Sequence, residues 1–187
     1  MYQMLYFDTP PFSIKNLMKK PTVHKKSIRY ISKYASPIGT LTISADDNAL
    51  TGLWISGQKN FGSTLAGYEC IEQDNTIINA AHKWLDEYFA GEYPQTAIEV
   101  KLEGTDFQVK VWNILRNIPY GRTVTYADIA QAAGCKSPRA TGTAIGKNPI
   151  SIIVPCHRVI STTGKLTGYA GGIDAKAKLL QLEEKNS

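Results

Sequence analysis

TDFQVKVWNILRNIPYGRTVTYADIAQAAGCKSPRATGTAIGKN, residues 105–148, is the stretch whose reading decides the fold. Thr105 is placed to cap a first helix with Phe107, Val111, Leu115 and Ile118 on its buried stripe, and Pro119-Tyr120-Gly121 stops it. Thr125, with Asp128 three residues on, starts a short second helix that Gly134 ends. Ser137 caps a third, and Pro138 takes its first position, where a missing N–H costs nothing. Two short helices joined by a tight, glycine-containing turn predict a helix-turn-helix. The third helix is unusually smooth. Gly142 and Gly146 each cost about 1 kcal/mol relative to alanine. Such a face suits either close packing on a neighbouring helix or close approach of its backbone to another surface.

Working outward, ISIIV (150–154) is a continuous apolar run and predicts a buried strand. It runs directly into PCHRVI (155–160), then the glycine-rich STTGKLTGYAGG. IDAKAKLLQLEEK (173–185) predicts a closing helix capped by Asp174, with Leu179 and Leu182 in the core. Upstream of residue 105, SIRYISKY, GTLTISA and ALTGLWIS alternate, with turn signals between them, and predict a three-strand meander. NTIINAAHKWLDEYFAG predicts a helix capped by Asn75, with Ile78, Ala81, Leu85 and Tyr88 on one face and Gly91 past its end. TAIEVKLEG is a further strand candidate; residues 57–74 give no clear pattern. The expected class is α+β. A small N-terminal α/β domain with an antiparallel sheet (28–100) precedes a mainly helical domain carrying the helix-turn-helix (101–187). Residues 1–27 read as an extension.

The composition is globular, with 43% hydrophobic and 20% charged residues among 187, and no apolar run is long enough to span a membrane. The amino-terminal stretch is a poor secretory signal. Three widely spaced cysteines (Cys70, Cys135, Cys156) exclude a disulfide framework. No CxxC pair is present, and His24, His82 and Cys70 are too scattered to make a zinc site, so no metal is expected. A reduced, cytoplasmic setting is expected, nuclear in a eukaryote. The net charge is +5 but unevenly placed: residues 34–100 are acidic, and residues 101–187 carry twice as many basic as acidic groups. The basic half is either a polyanion-binding surface or a solvated one.

Cys156 sits where an apolar run gives way to a proline-bounded turn. A thiol there is either a small core residue or a nucleophile. His157 and Arg158 follow at once; a neighbouring cation would lower a thiol pKa, and a base beside a thiol is the minimal nucleophilic arrangement.

PCHRVI, preceded by KNPISIIV and followed by GKLTGYAGG, resembles the active-site region of the O6-alkylguanine-DNA alkyltransferases, also called methylated-DNA–protein-cysteine methyltransferases. FQVKVWNILRNIPYGRTVTYADIA and PRATGTAIGKNP resemble that family's helix-turn-helix, and LLQLE its closing helix. The resemblance runs from Phe107 to Glu183 and continues more weakly in ASPIGTLTISADDNALTGLWI. It implies irreversible transfer of an alkyl group from guanine O6 in duplex DNA, and from thymine O4 as a further candidate, to Cys156. It makes His157 the base, acting through a water, Glu183 its partner, and Asn148 the tie of the active-site turn. Tyr126 would press on the phosphate 3′ to the target and protonate the leaving base. Val159, Tyr169, Ala170 and Gly171 would line the guanine pocket. Arg139 would fill the gap in the stack, with Ser137, Ala140 and Gly142 on the DNA side of the same helix. Ala170 stands where some relatives have serine, so one hydroxyl donor to O6 is missing. Either Glu183 or Glu184 could face inward. The resemblance implies no cofactor, a monomer, and alkylated duplex DNA as partner.

Two other classes remain at this stage. One is a helix-turn-helix protein that recognises alkylated DNA without chemistry; the other is a Cys-His hydrolase with repeated turnover. Counting alkyl groups removed per protein molecule separates them: none, one or many.

Overall fold

The computed structural model describes residues 27–186, so the extension expected at 1–27 lies, apart from Ser27, outside the described residues. The alternating segments form the meander: β1 (Ile28–Ser36), β2 (Gly39–Ala45) and β3 (Leu50–Ile55) pair antiparallel, with Tyr34 opposite Leu41 and Leu41 opposite Ile55. A fourth strand, β4 (Glu69–Glu72), pairs parallel to β1 and completes the order β3-β2-β1-β4. It falls in the stretch where the sequence showed no pattern: of its four residues only Ile71 is even half-buried, so no apolar alternation marks it. Helix α1 (Thr76–Phe89) is capped by Asn75, whose side chain accepts from the Ile78 N–H, and it buries Ile78, Ala81, Leu85 and Tyr88 against the sheet.

The three helices expected in residues 105–148 form, with the expected caps. α2 (Asp106–Arg116) and α3 (Tyr126–Ala132) both start in capping boxes, Thr105 with Gln108 and Thr125 with Asp128. α4 (Pro138–Gly146) has Ser137 as N-cap and Pro138 in its first turn. Trp112 Nε1 donates to the Ala144 carbonyl at 2.8 Å and ties α2 to α4. The two-residue strands β5 (Val124–Thr125) and β6 (Val159–Ile160) pair in parallel. α5 (Ile173–Lys185) closes the chain.

Three local expectations are corrected. ISIIV is not a strand: only Ile150 makes a bridge, to Leu53, and the chain then turns sharply, with Ile152 at φ +70°. Its apolar character comes from burial between the two halves, and its backbone groups bond to Leu53 and to the Asn148 side chain instead of to a neighbouring strand. TAIEVKLEG is extended but contributes a single bridge, Val100 to Leu50. Asp174 is not the cap of α5. Gly172, at φ +92°, holds that position, and Asp174 lies inside the first turn, where its charge suits the helix dipole.

Together these contacts cover the open edge of the sheet. Leu50 exchanges hydrogen bonds with Glu99 and Lys101, and Leu53 with Pro149 and Ser151. An edge strand left bare would be a pairing hazard; here residues 149–151 and 99–101 are held against β3 at Leu53 and Leu50. One continuous core, from Leu41 and Leu53 through Trp112 and Ile145 to Leu179, runs beneath it.

Candidate active site

Asn148 builds the turn that carries the cysteine. It is 3% exposed and follows α4 directly. Its Oδ1 accepts from the Ile150 N–H; its Nδ2 lies 2.8 Å from the Val154 carbonyl, 3.2 Å from that of Ile150 and 3.1 Å from Cys156 Sγ. Pro155 then leads into a single 3-10 turn, Cys156–Arg158, that is buried throughout. Cys70 and Cys135 are elsewhere, exposed and half-exposed.

His157 and Arg158 point into a buried polar cluster centred on Glu183 of α5. His157 Nε2 is 2.7 Å from Glu183 Oε1. Arg158 donates through Nε to Oε2 at 2.8 Å and through Nη2 to Oε1 at 3.0 Å, and its Nη1 is spent on the Ile118 carbonyl. The Gly121 N–H reaches Oε2 at 3.2 Å, and the Tyr88 hydroxyl donates to Oε1 at 2.7 Å. Burial alone would raise the Glu183 carboxyl, but the bonds from His157 and Arg158 outweigh it and hold its pKa down at about 2. An ionised carboxylate only accepts, so His157 carries its proton on Nε2. That leaves Nδ1 as the basic nitrogen, with no hydrogen-bond partner among the described residues. The question of which glutamate faces inward is answered: Glu183 is fully buried and Glu184 exposed.

The electrostatics of the thiol differ from the expectation that adjacent cations lower its pKa. Burial pushes the Cys156 thiol up, and the Asn148 amide and the Lys176 ammonium pull in the opposite direction. The Arg158 guanidinium is turned to Glu183. Burial likewise pushes the His157 imidazole down, against the pull of Glu183. The resting pair is therefore neutral thiol and neutral imidazole.

Lys176, which the sequence did not single out, is fully buried on α5 and donates to the carbonyls of Val159 and Thr167 at 2.5 and 2.8 Å. Burial lowers its pKa to about 8. Tyr126 also donates to the Thr167 carbonyl, at 2.9 Å, so lysine and tyrosine together pin the loop that follows Ile160. A Cβ at Gly168 would stand 2.7 Å from the Tyr126 hydroxyl. Tyr169 is buried with its ring 6.4 Å from that of His157, and Val159 is wholly buried. At Gly171 a side chain would collide with Ile55, and Ala170 accepts from the Lys59 N–H; the loop is thus seated on the N-terminal half.

Cys156, His157, Glu183, Asn148, Tyr126, Val159 and Tyr169 are therefore brought together around one turn. Arg139, Ser137 and Ala140 are not: they lie exposed on the first turn of α4, where the Ser137 hydroxyl is occupied by the Ala140 N–H. Arg139 has no ion-pair partner among the described residues. Gly142 faces the Tyr126 ring, at ordinary contact distance for an added methyl, and Gly146 faces open space.

Residues 106–185 match the family described as 6-O-methylguanine DNA methyltransferase, DNA binding domain, and residues 29–103 its ribonuclease-like domain. The chain belongs to the methylated-DNA–protein-cysteine methyltransferase family. The activity that goes with it is a DNA repair reaction, transfer of a methyl group from DNA to a cysteine of the protein itself. The methyltransferase of Mycolicibacterium paratuberculosis is 45% identical over 153 residues, 81% of this chain and 90% of its own length. That of Methanosarcina acetivorans is 44% identical over 156 residues, 82% and 97% respectively. The crystal structure of Mycobacterium tuberculosis OGT in complex with DNA superposes with a TM-score of 0.74 at 42% identity, covering 86% of this chain and 94% of that one. The buried Cys156 turn, with its Asn148 tie and its imidazole–carboxylate pair, is the part of this methyltransferase suited to such a transfer. No helix among the described residues is long and apolar enough to cross a membrane.

Two of the residues gathered here escaped the sequence reading. Lys176 shares its buried face with Leu179 and Glu183, at spacings of three and four residues, which was a signal that a lysine there would be inside. Tyr88 was legible as a core residue but carried no mark of its hydroxyl's destination.

Proposed function

We propose that Cys156 is the alkyl acceptor and that the substrate is guanine alkylated at O6 in duplex DNA, with O4-alkylthymine a further candidate. The thiol proton passes to His157 Nδ1 through a bridging water while Glu183 stabilises the imidazolium. The sulfur then attacks the alkyl carbon in line. The S–C bond forms, the C–O6 bond breaks, and the electron pair leaves with guanine, which takes a proton from Tyr126. The imidazolium proton afterwards makes good the one Tyr126 gave up. The product is a thioether with no hydrolytic exit, so each molecule acts once, and nothing in this sequence of steps calls for a cofactor.

The observation that carries this reading is the Cys156 thiol, fixed by Asn148 Nδ2 at 3.1 Å next to an imidazole whose other nitrogen is locked to a buried carboxylate at 2.7 Å. Asn148 acts by positioning the turn. Val159, Tyr169, Ala170 and Gly171 form the wall of the base pocket. A paired guanine cannot reach a buried thiol, so the nucleotide must leave the stack, at a cost of about a few kcal/mol. Arg139, exposed and without an ion pair among the described residues, fills the vacated space, and Ser137 and Ala140 present the exposed first turn of α4 to a groove, while Gly142 leaves room on the face turned to the Tyr126 ring. The protein acts as a monomer on duplex DNA, in the cytoplasm or, in a eukaryote, the nucleus. The boundary between its two domains lies near residue 100.

Titrating the protein with a duplex holding one O6-methylguanine tests the reading. Transfer should stop at one equivalent. Continued demethylation after all protein is modified would contradict it, and no transfer at all would favour a non-catalytic binder.

A further inference from the structure

Tyr88 lies on α1, outside the helix-turn-helix and far in sequence from the residues that perform the chemistry, yet its hydroxyl ends on the same carboxylate oxygen as the catalytic imidazole. The residue is wholly buried. Its ring is fixed from several sides: Trp84 stacks at 5.2 Å, Phe89 meets it edge-on at 5.3 Å, and Tyr120 edge-on at 6.0 Å. A ring so held delivers its hydroxyl to one place. That place is 2.7 Å from Glu183 Oε1 and 3.4 Å from His157 Nε2.

We infer that Tyr88 is a positioning residue of the active site: its hydroxyl bond to Glu183 sets how strongly that carboxylate holds the His157 proton. Oε1 takes hydrogen bonds from His157, Arg158 and Tyr88 at once. Each donor disperses part of the negative charge. With all three in place the carboxylate orients the imidazole without over-stabilising its cation, so His157 rests neutral and ready to take the thiol proton. The other charged or titratable groups that face His157 are Arg158 beside it, Lys176 and Glu183 on α5, Cys156, and Tyr169 from the loop. Among the described residues, only Tyr88 comes from the N-terminal half. It has no charge of its own to lose, because burial and the neighbouring carboxylate keep the phenol protonated far above its ordinary range. The inference rests on the reading of Cys156 and His157 as nucleophile and base.

The test is Tyr88→Phe, which keeps the ring and its packing and deletes one donor. Without it, more of the carboxylate charge falls on the imidazole, and His157 should protonate at higher pH. A net hydrogen bond's worth corresponds to roughly half a unit to one unit, a three- to ten-fold change in proton affinity. Two readouts should move upward together: the His157 titration followed by NMR, and the acid limb of the single-turnover rate with an O6-methylguanine duplex. A fluorinated tyrosine introduced at position 88 is a stronger donor and should move both downward, which covers the case in which Tyr88→Phe folds poorly. If Tyr88→Phe loses thermal stability while the imidazole titration stays put, Tyr88 is only a packing residue and the inference is wrong. A downward shift in Tyr88→Phe would overturn it equally. Because the NMR titration does not require transfer, failure of the alkyl-acceptor reading would show separately, as wild-type protein that takes up no alkyl group.

Discussion

In the proposed mechanism Glu183 joins stability to chemistry at a single side chain. It is buried against Arg158 and His157, and breaking a buried ion pair by removing one partner costs about 3–5 kcal/mol, because the other charge is left stranded. Glu183→Gln should therefore unfold in markedly less denaturant at neutral pH. The pH dependence follows from the sign of the shift. The folded carboxyl is depressed to about 2 from an ordinary 4.5, so its contribution is complete above the unfolded value and is lost as pH falls from 4.5 toward 2. The gap between wild type and Glu183→Gln should close over that window. A gap that stayed constant would mean the carboxylate is not ionised in the fold. His157 adds in the same direction: its buried imidazole is depressed below 6.5, so stability falls as pH drops below the unfolded value and the unfolded chain takes the proton first. By the same argument, the single-turnover rate should stay level on passing down through pH 6.5 and decline only further down. A decline centred on the ordinary histidine value would contradict the neutral resting imidazole. The sequence could place Glu183 on the closing helix but could not choose between it and Glu184. The choice depends on helix phase, which Gly172 sets, and on Tyr88 and Gly121, partners 95 and 62 residues away.

Among the elements, α4 and the turn after it show why some local readings hold and others fail. Caps are written in short range: Thr105, Thr125 and Ser137 announce their helices because the atoms they satisfy lie within three residues. ISIIV misleads because its burial is long-range. Leu53 and Asn148 take its backbone groups, and an apolar run bounded by Pro149 and Pro155 has no room to extend. Asn148 is thus the element's keystone. Asn148→Ala would leave the Ile150 N–H without its partner, costing roughly 1–3 kcal/mol for a buried group so stranded, while the Ile150 and Val154 carbonyls keep the Val154 and Cys156 N–H groups. It should lower the melting temperature and slow transfer together; a stable variant with slow transfer would assign Asn148 to the thiol alone. α4 itself allows a cleaner separation. Arg139 is exposed and has no ion pair among the described residues, so Arg139→Ala should leave stability within about 0.5 kcal/mol of wild type. It should slow repair of alkylated duplex far more than reaction with free O6-benzylguanine, which needs no extrusion. Equal slowing on both would make Arg139 a support of the fold.

For the whole molecule, the sequence divides its charge between halves, basic in residues 101–187 and acidic in 34–100. If α4 and its surroundings bind phosphates, affinity for duplex should fall linearly with the logarithm of salt concentration, with a slope set by the phosphates contacted. A salt-independent affinity would contradict that surface. The fold class, the meander and the three capped helices of residues 105–148 were legible because each is written in local periodicity and turn chemistry. What was not legible is how the halves meet: the edge of β3 covered by the chain after α4, the loop after Ile160 seated on Lys59 and Ile55, and the α1 hydroxyl reaching Glu183. These are contacts between segments whose sequences do not refer to one another.

The most direct test of the central claim is intact-mass analysis with peptide mapping after incubation with an excess of O6-methylguanine duplex, on wild type and Cys156→Ser. The account predicts one methyl group per wild-type molecule, located on Cys156, and none on Cys156→Ser, which should still fold and bind the duplex. A methyl group on Cys135 or Cys70, or one retained in Cys156→Ser, would contradict it.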